Sequence, residues 1–196
     1  MEFQVNRANW IMVLSVGIGF LGFCGCEKKE DAPKPATSHS SSQAKAPAAA
    51  SDAWPAGLLL KEEPAGAKDI LDTKQSAKEC DEVVIRGRVG GRKDPFVEGR
   101  AVMTIADAKL KPCNENSMDA CPTPWDYCCD TPETLIAHTV TIQVVGSDGK
   151  PVKNALKGFG GIEPLKTVIL RGNVLQKTPD GKIMVINAAG IYVKGA

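Results

Sequence analysis

The chain has 196 residues, a formal net charge of +1 and seven cysteines. This length accommodates one domain of ordinary size together with appendages. The near-neutral charge provides no whole-molecule field toward nucleic acid or an anionic membrane surface. Seven cysteines are unusual in the reduced cytosol without a metal site and natural in an oxidising compartment. The composition therefore favours an exported protein and argues against one that binds polyanions through its net charge.

The first 25 residues have the pattern of an export signal. An uncharged apolar run from Trp10 to Phe23 follows Arg7. The run is shorter than the roughly 20 residues of a membrane span and suits the core of a signal peptide. It ends at Gly25-Cys26, and a small residue before a cysteine resembles the lipobox of bacterial lipoproteins. The resemblance implies cleavage before Cys26, acylation of Cys26, and a lipid anchor in the inner or outer membrane with the remaining chain in the periplasm. An uncleaved anchor is the alternative.

Residues 26–66 are predicted to link this anchor to the folded domain. From Glu27 to about Ser51 the composition is Ala, Pro, Ser and Lys with almost no apolar bulk. Such a segment cannot bury enough surface to offset the entropy of ordering it, which predicts a disordered linker. The stretch that contains Trp54 and residues 58–60 either packs on the domain as an extended arm or continues the tether.

Residues 67–196 have the patterning of a mainly β domain. A short helix is expected within residues 67–78, from the loosely helical spacing of its apolar residues. Alternating segments then predict the strands Val83–Val89, Arg100–Ala106, His138–Val145, Val168–Val174 and Ile183–Asn187, and Ile191–Val193 extends the sheet. One helical turn, Val152–Leu156, is expected between the third and fourth strands.

Two of these strands contain the same Arg-Gly step. Gly87 and Gly172 both fall on the inward face, where glycine lets a strand bend or lets another backbone approach closely. The repeated step suggests that the two strands are neighbours in a small, strongly curled barrel. Coincidence between two apolar strands is the alternative.

The order of elements resembles the OB-fold, a five-stranded Greek-key barrel, over roughly residues 79–193. It also resembles small OB-like domains of exported bacterial lipoproteins. The resemblance implies a ligand-binding face on the second and third strands, where OB-folds often bind oligonucleotides or oligosaccharides. A different small β-barrel or a sandwich fits the same pattern.

A cysteine-rich connection, residues 108–137, separates the second and third predicted strands and is far longer than a usual loop. Its cysteines are Cys113, Cys121, Cys128 and Cys129. A bond between the adjacent Cys128 and Cys129 would be strained, so we expect each to form a disulfide with one of the other two. Two such bridges would order a loop that has little apolar content. Cys80 is then left over.

Metal binding is the second hypothesis for this connection. The four thiolates could bind zinc or copper(I), with His138 or Met118 as further ligands, although the spacing is not that of a zinc ribbon or knuckle. Calcium is a further option, because the stretch supplies hard oxygen ligands. These acidic residues are Glu115, Asp119, Asp126, Asp130 and Glu133. Thiol exchange usually shows a Cys-x-x-Cys motif, which the sequence lacks.

A ligand surface is expected from two groups of residues. The aromatic and acidic group, in the cysteine-rich connection, is Trp125, Tyr127, Asp126 and Asp130. The basic group, around the first hairpin, is Arg86, Arg88 and Arg100. The basic group suits an anionic polymer or a partner protein, and a solvated strand face is the alternative. The candidate strands carry no exposed aromatic platforms, so nucleic acid is not expected.

The sequence contains no Gly-rich phosphate loop, nucleophile elbow, His-Glu-x-x-His or haem-attachment motif. We therefore expect a membrane-anchored, non-enzymatic binding or scaffolding module that needs no cofactor. A metal- or thiol-handling protein that uses the four cysteines of the connection is the alternative hypothesis.

Overall fold

The structure, a computed structural model, describes residues 53–115 and 121–195 of the chain. Its two helices and five strands are α1 Ile70–Ser76, β1 Glu82–Val89, β2 Val102–Ala106, α2 Pro132–His138, β3 Thr139–Gln143, β4 Thr167–Lys177 and β5 Met184–Val193. Short 3-10 turns occur at Cys113–Glu115 and Phe159–Gly161. Within these ranges, none of the helices has both the length and the apolar character needed to cross a membrane.

The five strands close into a barrel in the order β1-β2-β3-β5-β4, with β4 pairing back to β1. Every pair is antiparallel except β3 with β5, which is parallel. A closed barrel leaves no sheet edge whose backbone groups need another partner. The mainly β, OB-like five-stranded barrel predicted from the order of elements is confirmed.

The two strands with the Arg-Gly step are neighbours, as predicted. Gly87 lies opposite Val168, and Val83 lies opposite Gly172. Both glycines are places where two backbones come close. A Cβ atom on Gly172 would lie 2.1 Å from the carbonyl oxygen of Asn187 on β5. The β4–β5 register also shifts beside Gly172, and such an irregularity bends a strand sharply enough for a small barrel to close.

The core fills the inside of the barrel with aliphatic side chains from all five strands. Ile85, Met103, Ile142, Leu170 and Ile186 are each at most 1% exposed. They occupy the inward positions of β1, β2, β3, β4 and β5, as the period-two alternation predicts. Burial of this apolar face is the main favourable term in the folding of the domain.

The arm before α1 packs on the barrel, which settles the alternative left open by its sequence. Leu58 is 2% exposed, and the backbone N–H of Leu60 donates to the Ile191 carbonyl at 2.9 Å. The rings of Trp54 and Phe159 stack with their centroids 4.1 Å apart. The arm is therefore part of the folded domain, because it carries apolar side chains that the barrel buries.

Three predicted elements differ in the structure. Residues 152–156 are not helical; the turn lies later, at Phe159–Gly161, while the Val152 N–H donates to the Val144 carbonyl. The last two apolar segments form one continuous strand, β5. His138 ends α2 and does not open a strand. We did not expect α2, although Thr131-Pro132 is a helix-start signal: the Thr131 hydroxyl accepts from the Thr134 N–H at 3.2 Å.

Candidate functional site

Three sulfurs and one carboxylate of the cysteine-rich connection converge on one point. Cys113 Sγ lies 3.8 Å from Cys128 Sγ, and Cys121 Sγ lies 3.9 Å from the same atom. The carboxylate of Asp126 completes the group, whose ligand atoms all lie within 4.8 Å of one another. We call Cys113, Cys121, Asp126 and Cys128 the cysteine cluster. Cys113 is buried, Cys128 is exposed and the other two are half-buried, so the cluster is closed on one side and open on the other.

Local hydrogen bonds hold the cluster in this arrangement. Asp126 Oδ1 accepts from the Cys128 backbone N–H at 2.9 Å, and Asp126 Oδ2 accepts from the Thr123 hydroxyl at 2.8 Å. The backbone N–H of Cys113 donates to the Pro124 carbonyl at 3.1 Å, which joins the two segments that supply the ligands. The carboxylate is therefore oriented by residues of its own turn.

Aromatic residues flank Asp126 on both sides in the turn between residues 123 and 128, and each is anchored to the domain. Tyr127 adopts a left-handed conformation, with φ 57°, and its side chain is fully buried. A left-handed conformation costs a non-glycine residue roughly 1–2 kcal/mol, and burial of the ring offsets that cost. The indole N–H of Trp125 donates to the Lys93 carbonyl at 2.9 Å.

The neighbours of Cys128 in the cluster determine which protonation state of its thiol is favoured. The pKa of Cys128 is raised well above its ordinary value, first by hydrogen bonds with the thiols of Cys113 and Cys121, then by desolvation and the nearby Asp126 carboxylate. These neighbours favour the neutral thiol. A bound cation would reverse the preference, because it stabilises thiolates and releases their protons.

Two predicted members lie elsewhere. Cys129 is exposed and stands outside the cluster, where it lines a shallow cavity with Cys113 and Asp130. His138 lies beside the fully buried Asp107, with Nδ1 3.6 Å from Oδ2. His138 turns toward Asp107 at the end of α2, and Cys129 is not among the residues whose ligand atoms converge.

The expected disulfides are not formed among the described cysteines. The shortest sulfur–sulfur distance recorded in the cluster, 3.8 Å, is far longer than the roughly 2.05 Å of a disulfide. The pairing of Cys128 and Cys129 with Cys113 and Cys121 remains a prediction that this arrangement does not confirm. Met118 and Asp119, two further predicted ligands, lie outside the described residues.

The residues of the predicted ligand surface differ in exposure and in their partners. Tyr127 is 0% exposed and belongs to the interior. Arg86 pairs with Asp69 at 3.3 Å, and Arg88 pairs with Glu115 at 3.2 Å. Arg100 is exposed, Trp125 and Asp130 are half-buried, and these last two residues line different cavities. Two of the three basic residues are therefore engaged in ion pairs.

A concave surface lies across β2 and β3. This groove has a volume of about 710 Å³, and its apolar lining is Leu135, Ile136, Val140, Ile183 and Met184. Two loops form its walls: the β1–β2 loop through Gly91 and Arg92, and the β4–β5 loop through residues 178–183. We call it the β2–β3 groove. Sequence reasoning pointed to this face of the barrel but missed the contribution of α2.

Lys74 ties together the elements around this groove. Its ammonium group donates to the carbonyls of Ile136, Thr139 and Lys182 at 2.6, 3.1 and 2.7 Å. Lys74 is only 5% exposed, and burial lowers the pKa of its ammonium group. All three N–H bonds are used, so α1, α2, β3 and the β4–β5 loop share one buried hydrogen-bonding centre.

Comparisons of the chain with protein-family models, with curated proteins and with solved structures found no match.

Proposed function

We propose that this protein is a lipid-anchored module of the cell envelope that binds, without catalysis, an extended apolar segment of a partner protein in the β2–β3 groove. The observation that carries the proposal is the groove itself, because it combines an open apolar surface with polar edges. Ile136 and Ile183 are 43% and 56% exposed there. Adjacent exposed aliphatic side chains on a folded domain are a feature of interaction sites.

The floor and rim of the groove suit a polypeptide. Thr104, Thr139 and Thr141 place side chains with both methyl and hydroxyl groups along β2 and β3. Arg92 and Lys182 on the rim are balanced in part by Asp180. A peptide with alternating apolar and polar side chains can bury the first kind on the floor and leave the second at the edge.

The same lining disfavours the ligands that OB-folds often bind. None of the described residues that line the groove is aromatic, whereas single-stranded nucleic acids stack their bases on aromatic side chains. The rim charges are mixed in sign, so the groove offers no continuous basic track for an anionic polymer. An acyl chain would prefer an enclosed cavity, and this groove opens to solvent at two exposed isoleucines.

The anchor is the second part of the proposal. Gly25-Cys26 after an apolar run supports cleavage before Cys26 and acylation of that residue. The domain would then face the periplasm at the end of a linker rich in Ala, Pro and Ser. Mass spectrometry of the mature protein tests this part: the chain should begin at Cys26 and carry acyl mass. A chain that begins elsewhere, or that lacks acyl mass, contradicts it.

Photocrosslinking in intact bacterial cells tests the groove. A photoreactive amino acid at Ile183 should give a discrete crosslinked protein, and the same residue at Leu175 should not. Leu175 is a matched control, because it is 55% exposed, lies on β4 and is not part of the groove. The change Ile136→Asp should remove the Ile183 crosslink. A lipid adduct, equal labelling from both positions, or no adduct would contradict the proposal.

A further inference from the structure

Cys128 of the cysteine cluster lies close to two other sulfurs and is not paired with one of them. Cys128 Sγ lies almost equally far from Cys113 Sγ and from Cys121 Sγ, at 3.8 and 3.9 Å. A disulfide needs two sulfurs at roughly 2.05 Å, so it would bring one partner close and leave the other apart. Two nearly equal distances from Cys128, with all three sulfurs within 4.8 Å of one another, are compatible with contact to a common atom.

The spacing agrees with the size of a tetrahedral zinc ion. Zinc binds thiolate at about 2.3 Å, and two such ligands at a tetrahedral angle are about 3.8 Å apart. Both short sulfur–sulfur distances of the cluster have this value to within 0.1 Å. Ordinary packing of neutral thiols does not require three of them and a carboxylate to lie within 4.8 Å.

The fourth corner is a carboxylate that is held in place. Asp126 lies two residues before Cys128, and its two oxygens accept from the Cys128 N–H and the Thr123 hydroxyl. Each carboxylate oxygen has a second lone pair, so these bonds orient the group and leave it able to ligate. Hydrogen bonds of this kind commonly fix the ligands of protein-bound metals.

We propose that Cys113, Cys121, Asp126 and Cys128 form a tetrahedral zinc site. Three thiolates suit zinc or copper(I), but the hard carboxylate oxygen favours Zn²⁺ over the softer copper ion. Calcium takes six to eight oxygen ligands, and a cluster dominated by sulfur cannot supply them. The evidence for the zinc site does not depend on the proposed peptide binding in the β2–β3 groove. Failure of one proposal would leave the other standing.

The ion would hold the connection against the barrel. The turn that carries Asp126 and Cys128 contacts the β1–β2 loop, because the Gly91 N–H donates to the Trp125 carbonyl at 2.8 Å. Gly90 lies so close to this turn that a Cβ atom there would be 2.5 Å from the same carbonyl oxygen. Zinc at the cluster thus fixes a turn on which one wall of the β2–β3 groove rests.

Metal analysis of the mature, full-length protein tests the site. Protein produced with zinc in the medium should contain one zinc per chain after extensive dialysis. Replacement of zinc by Co²⁺ should give the visible absorption of tetrahedral cobalt and a thiolate-to-cobalt charge-transfer band in the near ultraviolet. These readouts need no variant, so they decide the question even if a cysteine change prevents folding.

Matched variants then assign the ligands. Cys121→Ser, Cys128→Ser and Asp126→Asn should each lose bound zinc, or keep it with an altered cobalt spectrum. Cys129→Ser and Cys80→Ser should keep both zinc and spectrum, since neither residue belongs to the cluster. Circular dichroism of every variant should retain the β-sheet signal, which separates loss of metal from loss of the barrel.

Three results would overturn the site. The first is zinc well below one per chain that no cluster variant changes, which would show adventitious binding only. The second is metal-free protein whose intact mass lacks four hydrogens, which would establish two disulfides. The third is loss of zinc in Cys129→Ser together with retention of zinc in Asp126→Asn. That result would show that the fourth ligand is the Cys129 thiolate and not the Asp126 carboxylate.

Discussion

The barrel and the cysteine-rich connection are stabilised by different physics. The barrel closes through backbone pairing of every strand and encloses a core of aliphatic side chains. In the connection, the described residues 108–115 and 121–137 bury only Pro112, Cys113 and Tyr127. Apolar burial can order the first region, but the second offers too little apolar surface to offset its ordering entropy. A cross-link or an ion has to supply the difference.

In a chain of this kind, reactive side chains are expected outside the barrel. Reactive side chains gather where the apolar pattern stops, because a long loop without a core must be held by something else. A change in the barrel should therefore affect the free energy of unfolding of the whole domain. A change in the cluster should affect metal binding and the local order of the connection while leaving the barrel folded.

The largest expected effect is in the barrel, at Gly172. The change Gly172→Val places a side chain where even a Cβ atom would lie 2.1 Å from the Asn187 carbonyl oxygen. Because backbone and not a flexible side chain occupies that space, we expect a loss of about 3 kcal/mol in the free energy of unfolding, or failure to fold. Urea denaturation followed by circular dichroism measures it.

The neighbouring exposed residue provides the control for that change. Asn173→Val, on the same strand, should alter stability by less than about 0.5 kcal/mol. Equal stability of the Gly172 and Asn173 variants would show that the β4–β5 contact does not close the barrel as described.

The second effect concerns Lys74, which joins the two regions. Lys74→Met leaves the carbonyls of Ile136, Thr139 and Lys182 without the donor that they share. Loss of three hydrogen bonds to a charged donor is partly offset by removal of the buried charge of Lys74, so we expect a net loss of about 2 kcal/mol in the free energy of unfolding. The exposed Gln75→Met on the same helix is the control. A Lys74 variant as stable as this control would contradict the role of Lys74.

The third effect should be confined to the connection. Thr123→Ala removes the hydroxyl that donates to Asp126 Oδ2, and loss of such a supporting bond weakens metal affinity by roughly 10- to 100-fold. Zinc competition with a chromogenic chelator measures the change. Thr178→Ala, which removes a similar hydroxyl–carboxylate bond to Asp180, should leave zinc affinity unchanged. If Thr123→Ala and Thr178→Ala bound zinc with the same affinity, the result would not support Asp126 as a zinc ligand.

The smallest effect is a pH dependence at Asp69, which ties the connection to β1. The pKa of Asp69 is lowered, first by its hydrogen bond with Lys109 and then by Arg86, against an opposing effect of burial. A carboxylate with a lowered folded-state pKa contributes stability above its ordinary value of 3.8, and this is lost as pH falls through the lowered value. Asp69→Asn should therefore cost about 0.5–1 kcal/mol at neutral pH and nothing in strong acid.

Urea unfolding of wild type and variant from neutral pH to below the Asp69 pKa measures this difference. The exposed Asp94→Asn, on the β1–β2 loop, is the control and should give a pH-independent difference near zero. A difference for Asp69→Asn that stays constant into strong acid would rule out the ion pairs with Lys109 and Arg86 as its source.

The barrel could be predicted from the sequence because the alternation of apolar and polar residues within a strand indicates which face of that strand is buried. Alternation in β1, β3 and β4 marks an inward face, and Gly87 and Gly172 mark where strands come close. The helix α2 does not follow from the apolar pattern, because the connection has no helical periodicity, although Thr131-Pro132 signals a helix start. The helical turn after β3 lies later in the sequence than the apolar spacing of Val152 and Leu156 predicts. Both side chains are buried, but the backbone that carries them is irregular and not helical.

The cluster could be predicted only in part. The spacing of the cysteines indicated a constrained region, but it could not show which thiols converge. Cys128 and Cys129 are adjacent, and only the left-handed turn at Tyr127 directs Cys128 toward Cys113 and Cys121. Asp126 looked like one acidic residue among several. Its place at the fourth corner depends on hydrogen bonds within the 123–128 turn, which no periodic pattern encodes.

Zinc-edge X-ray absorption of the purified protein shows directly whether an ion binds the cysteine cluster. We predict a first shell of three sulfurs at about 2.3 Å and one oxygen at about 2.0–2.2 Å. In Asp126→Asn the oxygen contribution should change while the three sulfurs remain. A shell of four sulfurs, a shell of nitrogen and oxygen alone, or protein that binds no zinc would contradict the claim that an ion holds the cysteine-rich connection in place.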